Sequence, residues 1–225
     1  PRKEDGHEKW LDFAMKFWHA ECVCGLSQKV FTERYRKWCC KAGYYFSQDK
    51  AEDIYAASCG HIGLLPKDET TELLIQQSII QLNSICTSLA ALLPEYPVVM
   101  SFFGVGDNLG PRIIAEIGNV RRFARKESLV CFAGLEAPPY QSGKFESTDR
   151  NISKKGSPHL RKALFQVMDC LIKNAPAEDP IFQFLDRKRD EGKHYYSYMT
   201  AGSAKFLRIY YALVKGHLNS LEENI

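Results

Sequence analysis

The segment from Ile75 to Leu93 constrains the fold of this 225-residue chain most strongly. Apolar residues recur there in alternating steps of four and three, at Ile75, Ile79, Leu82, Cys86, Leu89 and Leu93. This rhythm is that of the a and d positions of a coiled coil, which requires a helix. The repeat covers about three heptads, so a long amphipathic helix packed inside one domain fits the pattern equally well.

Helical spacing of apolar residues continues on both sides of this segment. Before it, the sequence predicts two helices that end near Gly25 and Gly43, and a shorter helix over 48–58. After it, further helices are predicted over 128–133, from Ser157-Pro158 onward, over 180–191 and over 201–218. No convincing strand pattern appears. We therefore predict a mainly α fold, with a coiled-coil helix followed by a compact helical domain.

A helix, a glycine turn and a second helix are predicted over residues 97–120. The turn contains Gly104 and Gly106, and the second helix has Pro111 in its first turn and Gly118 at its end. The glycine spacing does not fit a dinucleotide-binding loop, and no strand precedes it. The arrangement resembles a helix-hairpin-helix element, whose backbone N–H groups hold a DNA phosphate. A tight corner that only packs two helices together remains an equal alternative.

The net charge of +3 is ordinary, but the charge is unevenly distributed. Residues 144–162 contain two acids and six basic residues, namely Lys144, Arg150, Lys154, Lys155, Arg161 and Lys162. A basic stretch of this kind is typical of a surface that binds phosphates, although a solvated face without a partner has the same composition. Most of the stretch lies in a polar loop predicted over residues 140–156.

Ser142 is the candidate nucleophile in this loop. It lies between predicted helices, so the strand-to-helix elbow of serine hydrolases is excluded. The surrounding cations suit a phosphodiester substrate, because they offset the charge that builds on the phosphorus oxygens during transfer. The residues alone leave an ordinary turn serine as the commoner alternative.

Eight cysteines are scattered along the chain, without a Cys-x-x-Cys pair or a histidine at zinc-finger spacing. Reduced thiols buried as small hydrophobic side chains are therefore favoured over a metal site or a disulfide framework. The sequence has neither an apolar run of about 18 residues, as a membrane span requires, nor a signal peptide. We predict a cytoplasmic protein without a membrane partner.

Several blocks of sequence resemble the C-terminal domain of the DEDD-type insertion-sequence transposases. They include Gly110-Pro-Arg-Ile-Ile-Ala-Glu-Ile-Gly118, Gln141-Ser-Gly143 and Ser157-Pro-His-Leu-Arg-Lys162. In full, the similar segments are 102–123, 129–143, 152–164 and, in the tail, 192–196 and 204–215. The resemblance extends over about residues 70–218.

This family contains recombinases that are guided by a bridge RNA, and it combines two catalytic parts. The resemblance implies that a RuvC-like N-terminal domain supplies four acidic residues that bind Mg²⁺. It also implies that the C-terminal domain supplies a serine that attacks DNA and forms a phosphoserine link. The family motif matches Gln141-Ser142-Gly143, which assigns this role to Ser142. The implied partners are DNA, a guide RNA and further copies of the protein in a dimer or tetramer, assembled through the coiled coil.

The residues expected to contact DNA lie in the glycine turn, in the serine-bearing loop and on the next helix. They are Gly104, Gly106, Arg112, Lys144, Arg150, Lys154, Lys155, Arg161 and Lys162. No RuvC-type acidic tetrad occurs before residue 60, so we expect no cofactor in this chain and only half of an active site. The start at Pro-Arg-Lys, without Met, predicts a fragment or a decayed copy of a longer protein.

These expectations divide the chain into three parts. Residues 1–60 form a helical linker or the end of a preceding domain, 61–96 form the coiled-coil helix, and 97–218 form the C-terminal transposase domain. The predicted function is DNA strand cleavage and exchange through Ser142. A non-catalytic nucleic-acid-binding and oligomerisation module, or a purely structural helical protein, remain the alternatives.

Overall fold

The computed structural model describes residues 9–60, 64–137 and 151–223, together with the backbone of residues 141–142 and 145–146. The chain divides into two compact units, which are unit 1 (Pro1–Cys86) and unit 2 (Thr87–Ile225). Helices dominate both units, so the prediction of a mainly α fold is confirmed. The bounds of the three predicted domains stay a prediction.

Unit 1 contains four helices before residue 61, in the part of the chain described. Capping residues set the ends of the third one, because the Ser27 hydroxyl accepts a hydrogen bond from the N–H of Val30 at 3.4 Å. Gly43 then ends this helix in a left-handed conformation, with a φ of 72° that favours glycine. The four helices are α1 (Lys9–Lys16), α2 (Glu21–Cys24), α3 (Gln28–Ala42) and α4 (Gln48–Cys59).

The core of unit 1 is built mainly from aromatic rings. Phe31 and Tyr35 of α3 are fully buried, and burial raises the pKa of the Tyr35 hydroxyl. Phe13 stacks on Phe17 with 4.8 Å between ring centroids, and both rings meet Trp38 edge-on. Such edge-to-face packing adds to the free energy gained by removing the rings from water.

Helix α5 (Glu69–Ala91) covers most of the predicted coiled-coil segment. Asp68 caps it, since its carboxylate accepts a 2.7 Å hydrogen bond from the N–H of Thr71. Its apolar residues are largely exposed: Leu82 is 50% exposed and Leu89 is 60% exposed. This exposure favours the coiled-coil alternative over a helix whose apolar stripe is packed inside one domain. A coiled-coil partner for α5 stays a prediction.

Unit 2 packs its helices around a core that is mainly aliphatic. Ile113, Leu164 and Leu207 are fully buried within it, and Phe102 packs on Phe206 with 4.8 Å between ring centroids. A short 3-10 helix over Val120–Arg122 lies between the second and third helices of this unit. The α-helices are α6 (Tyr96–Met100), α7 (Leu109–Ile117), α8 (Lys126–Phe132), α9 (Pro158–Asn174), α10 (Pro180–Asp190) and α11 (Tyr195–Glu223).

Helix α11 begins six residues before the predicted start at Ala201. Tyr198 and Met199, in this extra part, are buried. Gly202 allows the helix to lie against α10, because a Cβ at this position would overlap the side chain of Leu185. The residues of α11 before Tyr198 are exposed, so they add no apolar periodicity that would predict this extension.

The eight cysteines form no disulfide, and all of them lie in the described part of the chain. Only Cys39 is buried, whereas Cys40, Cys59, Cys86 and Cys131 are exposed. The expectation that the thiols serve as buried hydrophobic side chains is therefore wrong for those four. Among the residues that the structure describes, no helix is long and apolar enough to cross a bilayer.

Candidate functional site

Ser142 lies in a short antiparallel ladder that the sequence did not predict. Strand β1 (Gln141–Ser142) pairs with strand β2 (Phe145–Glu146), and Ser142 is directly opposite Phe145. Two residues separate the strands, which is the usual length of a hairpin connection. The predicted nucleophile therefore occupies the last position of the first strand. Of the other residues of this loop, Lys144 and Arg150 lie outside the described residues.

We call residues 137–152 the serine loop, and its two ends are held together by the backbone. The N–H of Ser153 donates to the carbonyl of Glu136 at 2.9 Å, and the N–H of Lys154 donates to that of Gly134 at 3.1 Å. A third bond, of 2.8 Å, runs from the N–H of Ser157 to the carbonyl of Phe132. These bonds join the chain segments on either side of the serine loop.

Two glycines make this close backbone contact possible. A Cβ at Gly156 would overlap the carbonyl oxygen of Phe132, and a Cβ at Gly134 would lie only 2.6 Å from the N–H nitrogen of Gly156. Gly134 also has a φ of 66°, in the left-handed region where a side chain is strained. We call this pair the glycine contact. Here the chain segments before and after the serine loop pack directly against each other.

Arg161 is located beside the glycine contact and binds both chain segments. Its Nη1 donates to the carbonyl of Ala133 at 2.8 Å and to that of Gly156 at 3.0 Å. The side chain is half-buried, so these charge-assisted bonds are sheltered from water. Nη1 of Arg161 is therefore engaged in bonds within the protein. The predicted contact between Arg161 and DNA would have to use the other N–H groups of the guanidinium, and it stays a prediction.

The start of α9 is fixed by Ser157, as the sequence predicted. Its hydroxyl accepts a 3.0 Å hydrogen bond from the N–H of Leu160 and donates at 2.7 Å to the Glu116 carboxylate. Pro158 occupies the first helical position. Since Glu116 belongs to α7, this one hydroxyl both caps α9 and ties it to the helix that follows the glycine turn.

Several cations lie on the surface around the base of the serine loop. Lys154 and Lys155 are exposed, and Lys154 has a left-handed φ of 55°. Lys162 is exposed on the first turns of α9. The guanidinium of Arg122 lies 4.6 Å from the ring centroid of Phe132, and sequence reasoning missed this residue as a site candidate. The pair Arg121-Arg122, next to the matched Gly118-Asn-Val, was the signal available for it.

Glu136 is a second candidate that sequence reasoning missed. One of its carboxylate oxygens, Oε2, is buried and has no hydrogen-bond partner among the residues described. A buried polar atom without a partner is uncommon and often marks a functional position. Glu136 lies immediately before the serine loop, so this acceptor belongs to the same local site. No local sequence signal distinguishes it from an ordinary surface glutamate.

The glycine turn between α6 and α7 is present as predicted. Gly104 has a φ of 78°, and a Cβ there would lie 3.2 Å from the Cβ of Cys170 on α9. The N–H of Gly110 donates to the carbonyl of Gly106 at 2.8 Å at the start of α7. Arg112 is half-buried on the same helix. The turn therefore packs against α9, and the predicted DNA contacts of Gly104, Gly106 and Arg112 stay predictions.

Metal-binding side chains are not grouped in the described residues. No three residues among their His, Cys, Asp and Glu lie close enough together to hold a metal ion. The family resemblance implies Mg²⁺ in a separate RuvC-like domain, and the expectation of no cofactor in this chain stays a prediction. The described residues can contribute cations, backbone N–H groups and positioning of the serine loop.

Comparison with known proteins places this site within a recognised segment. Residues 96–180 match the Transposase IS116/IS110/IS902 family. This segment contains the glycine turn, the glycine contact, the serine loop and all of α9. A second similarity is to the "Putative transposase y4rJ" of Sinorhizobium fredii (strain NBRC 101917 / NGR234), at 28% identity over 101 residues. That alignment covers 44% of this chain and 25% of the relative, so the chain spans about a quarter of the curated relative's length.

Proposed function

We propose that this chain acts in DNA transposition, as the serine-bearing part of a recombinase that cleaves and exchanges DNA strands. The observation that carries the proposal is the match of residues 96–180 to a transposase family. That match spans the elements that hold the serine loop, from the glycine turn to α9. The Gln141-Ser142-Gly143 motif lies within it, and its first two residues form the first strand of the loop hairpin.

In the proposed reaction the Oγ of Ser142 attacks a DNA phosphorus atom. A new Oγ–P bond forms, the P–O3′ bond breaks, and the 3′-hydroxyl of the cut strand leaves with a proton. The serine proton passes to a nearby base. The reverse attack by a 3′-hydroxyl of another strand releases the serine and joins the strands. A covalent intermediate of this kind keeps the energy of the phosphodiester bond, so no external energy source is required.

The cations around the serine loop are the groups that would bind DNA phosphates. Lys154 and Lys155 are exposed just after its C-terminal end, and Lys162 is exposed on α9. Lys144, Arg150 and the remaining N–H groups of Arg161 complete the proposed set. Positive charge near the reacting phosphate offsets the negative charge that develops on its oxygens.

Gly104, Gly106 and Arg112 would contact the phosphate backbone from the glycine turn, in the manner of a helix-hairpin-helix element. We further propose partners beyond DNA. The family resemblance supports a guide RNA and a second domain that supplies the metal-binding acids. The exposed apolar residues of α5 support association with another copy of the chain through this helix.

The proposal is tested with the intact protein on its terminal DNA with its guide RNA. Ser142→Ala is expected to abolish strand exchange while DNA binding is retained, because only the nucleophile is lost. Ser128→Ala, at a half-buried position of α8 outside the serine loop, serves as the matched control and is expected to exchange strands normally. Normal exchange by Ser142→Ala would refute the nucleophile, and the non-catalytic nucleic-acid-binding module would then be the better description.

A further inference from the structure

A groove of about 520 Å³ opens on unit 1, outside the segment that matches transposases. Its walls come from α1, α2, α3 and the segment around Lys67. Five of the lining side chains are basic and Glu21 is acidic, so the groove has a clear excess of positive charge. The basic residues are Lys16, Arg34, Lys37, Lys41 and Lys67, and the aromatic rings of Phe17 and Trp38 form part of the same wall.

Helix α3 determines which side chains face the groove. Arg34, Lys37, Trp38 and Lys41 follow one another at spacings of three, one and three residues, which places them on one side of the helix. Neighbouring cations in such a row are about 5–6 Å apart at their Cβ atoms. The adjacent side of α3 carries the buried core residues, so the row cannot rotate away from the groove.

The opposite side of the groove is fixed by a hydrogen bond within unit 1. A ring nitrogen of His19, Nε2, lies 3.1 Å from the carbonyl oxygen of Leu65. This bond holds the segment that carries Lys67 against the loop between α1 and α2. Lys67 thereby adds a positive charge to the groove from a part of the chain that is distant in sequence from α3.

Four of these cations form no ion pair within the part of the chain that the structure describes, although Glu21 lines the same groove. Among the described residues, the side chains of Lys16, Arg34, Lys41 and Lys67 form no ion pair or hydrogen bond, and Lys37 has only a 3.8 Å pair with Glu33. By contrast, most cations of α10 are paired: Lys188 and Arg189 contact acids at 2.6 Å and 2.5 Å. Unpaired like charges around a groove repel one another, and a bound polyanion removes that repulsion.

We propose that this groove, which we call the unit 1 groove, binds a single strand of nucleic acid. A row of cations beside aromatic rings that are partly open to solvent, as Phe17 and Trp38 are, is the arrangement that holds such strands, with phosphates on the cations and bases against the rings. A duplex keeps its bases stacked inside and cannot offer them to Trp38, and an acidic peptide has no base to place there. The inference rests on unit 1 alone and does not require Ser142 to be catalytic.

The test compares two triple variants of the full chain that remove equal charge. The groove variant is Arg34→Gln, Lys37→Gln and Lys41→Gln, and the control is Lys29→Gln, Arg36→Gln and Lys50→Gln, all exposed on α3 or α4. Binding of labelled single-stranded DNA and RNA is followed by fluorescence anisotropy at several salt concentrations. Unchanged circular dichroism and melting show that both variants are folded.

The groove variant is expected to bind at least about tenfold more weakly at low salt, while the control stays within about twofold. The slope of log affinity against log salt should fall by about 2, as three lost phosphate contacts on a single strand predict. A bromodeoxyuridine-substituted strand should crosslink under ultraviolet light to the peptide that contains Trp38. Equal loss in both variants, or crosslinks confined to unit 2, would overturn the inference.

Two further binding experiments distinguish a failure of this inference from a failure of the proposed function. If Lys154→Gln with Lys155→Gln removes all binding while the groove variant binds normally, the groove proposal fails and the interface at the serine loop stands. The opposite result retains the groove and rejects those lysines as DNA contacts. Polyglutamate that displaces the strand as well as unlabelled DNA does would identify an acidic protein as the partner and contradict the proposal. Preferred binding of duplex would contradict it too.

Discussion

Unit 1 and unit 2 present their candidate surfaces by different physical means. In unit 2, the serine loop depends on backbone that is so closely packed that Gly134 and Gly156 leave no room for a Cβ. In unit 1, the groove depends on side chains that project from one face of α3 into solvent. Substitutions in the first surface should therefore change stability and loop position, whereas substitutions in the second should change affinity and leave the fold intact.

The two units also differ in a way that allows separate measurement. All three tryptophans, Trp10, Trp18 and Trp38, belong to unit 1, so tryptophan fluorescence reports its unfolding. Far-ultraviolet circular dichroism reports the helices of both units. Comparing the unfolding curves from the two signals therefore shows which unit a substitution destabilises.

The largest expected loss of stability comes from Gly156→Ala. The added methyl group would overlap the carbonyl of Phe132, and the backbone would have to separate at the base of the serine loop. We expect the free energy of unfolding to fall by about 3 kcal/mol, the upper end for overpacking a tight contact. Urea unfolding followed by circular dichroism measures it.

Gly216→Ala is the matched control for this substitution. No atom lies within 4 Å of a Cβ at Gly216, which is inside helix α11. Alanine favours a helix over glycine, so this variant should gain about 0.5–1 kcal/mol. Equal changes in unfolding free energy for the two variants would show that the backbone at the glycine contact is not closely packed.

Arg161→Met should have the next largest effect. It removes the bonds from Nη1 to the carbonyls of Ala133 and Gly156 but keeps an unbranched side chain in the half-buried space. We expect a loss of about 2 kcal/mol, the range for hydrogen bonds to a charged group. Lys155→Met, at an exposed neighbouring position, should change the unfolding free energy by less than about 0.5 kcal/mol. A loss as large for Lys155→Met would refute a specific role for Arg161.

Many local features were predictable because they depend on a few neighbouring residues. Gly43 and Gly118 end helices and Ser157 begins one, as their residue types indicate. The hairpin at Ser142 was missed because strands of two residues have no detectable alternation. The role of Gly134 was missed because its partner, Gly156, lies on the far side of the serine loop. Contacts of that kind appear only once the chain has folded.

In the unit 1 groove, too, the features that depend on neighbouring residues were predictable and the contacts between distant residues were not. The spacing of Arg34, Lys37, Trp38 and Lys41 is enough to indicate a basic helix face. Nothing in the sequence placed Lys67 beside it. The bond between His19 and the carbonyl of Leu65 brings that residue near, and such a bond has no sequence signature.

Two helix-cap substitutions, one in each unit, are expected to cause smaller losses of unfolding free energy. Ser157→Ala removes both the cap of α9 and the bond to Glu116, so we expect a loss of about 1–2 kcal/mol by circular dichroism. Ser27→Ala removes only a 3.4 Å cap of α3, and about 0.5–1 kcal/mol should be lost by tryptophan fluorescence. A larger loss at Ser27 would contradict the view that the base of the serine loop is the more constrained region.

The smallest expected effect concerns the exposed ion pair of Arg121 and Glu222. The hydrogen bond from Arg121 lowers the pKa of the Glu222 carboxyl. The stabilisation is therefore present above the pKa of the unfolded state and is lost as the pH falls through the depressed folded-state pKa. Glu222→Gln should melt slightly lower than the parent at pH 7, and the difference should vanish in acid. A difference that grows in acid would contradict the assignment.

The most direct test of the central proposal is to identify the residue that becomes joined to DNA. The intact protein is incubated with its terminal DNA and guide RNA, denatured rapidly and digested, and the DNA-linked peptide is sequenced by mass spectrometry. The account predicts a 5′-phosphoserine link at Ser142, present in the parent and in Ser128→Ala and absent from Ser142→Ala. A DNA link at another residue, or strand exchange without any covalent adduct, would contradict it.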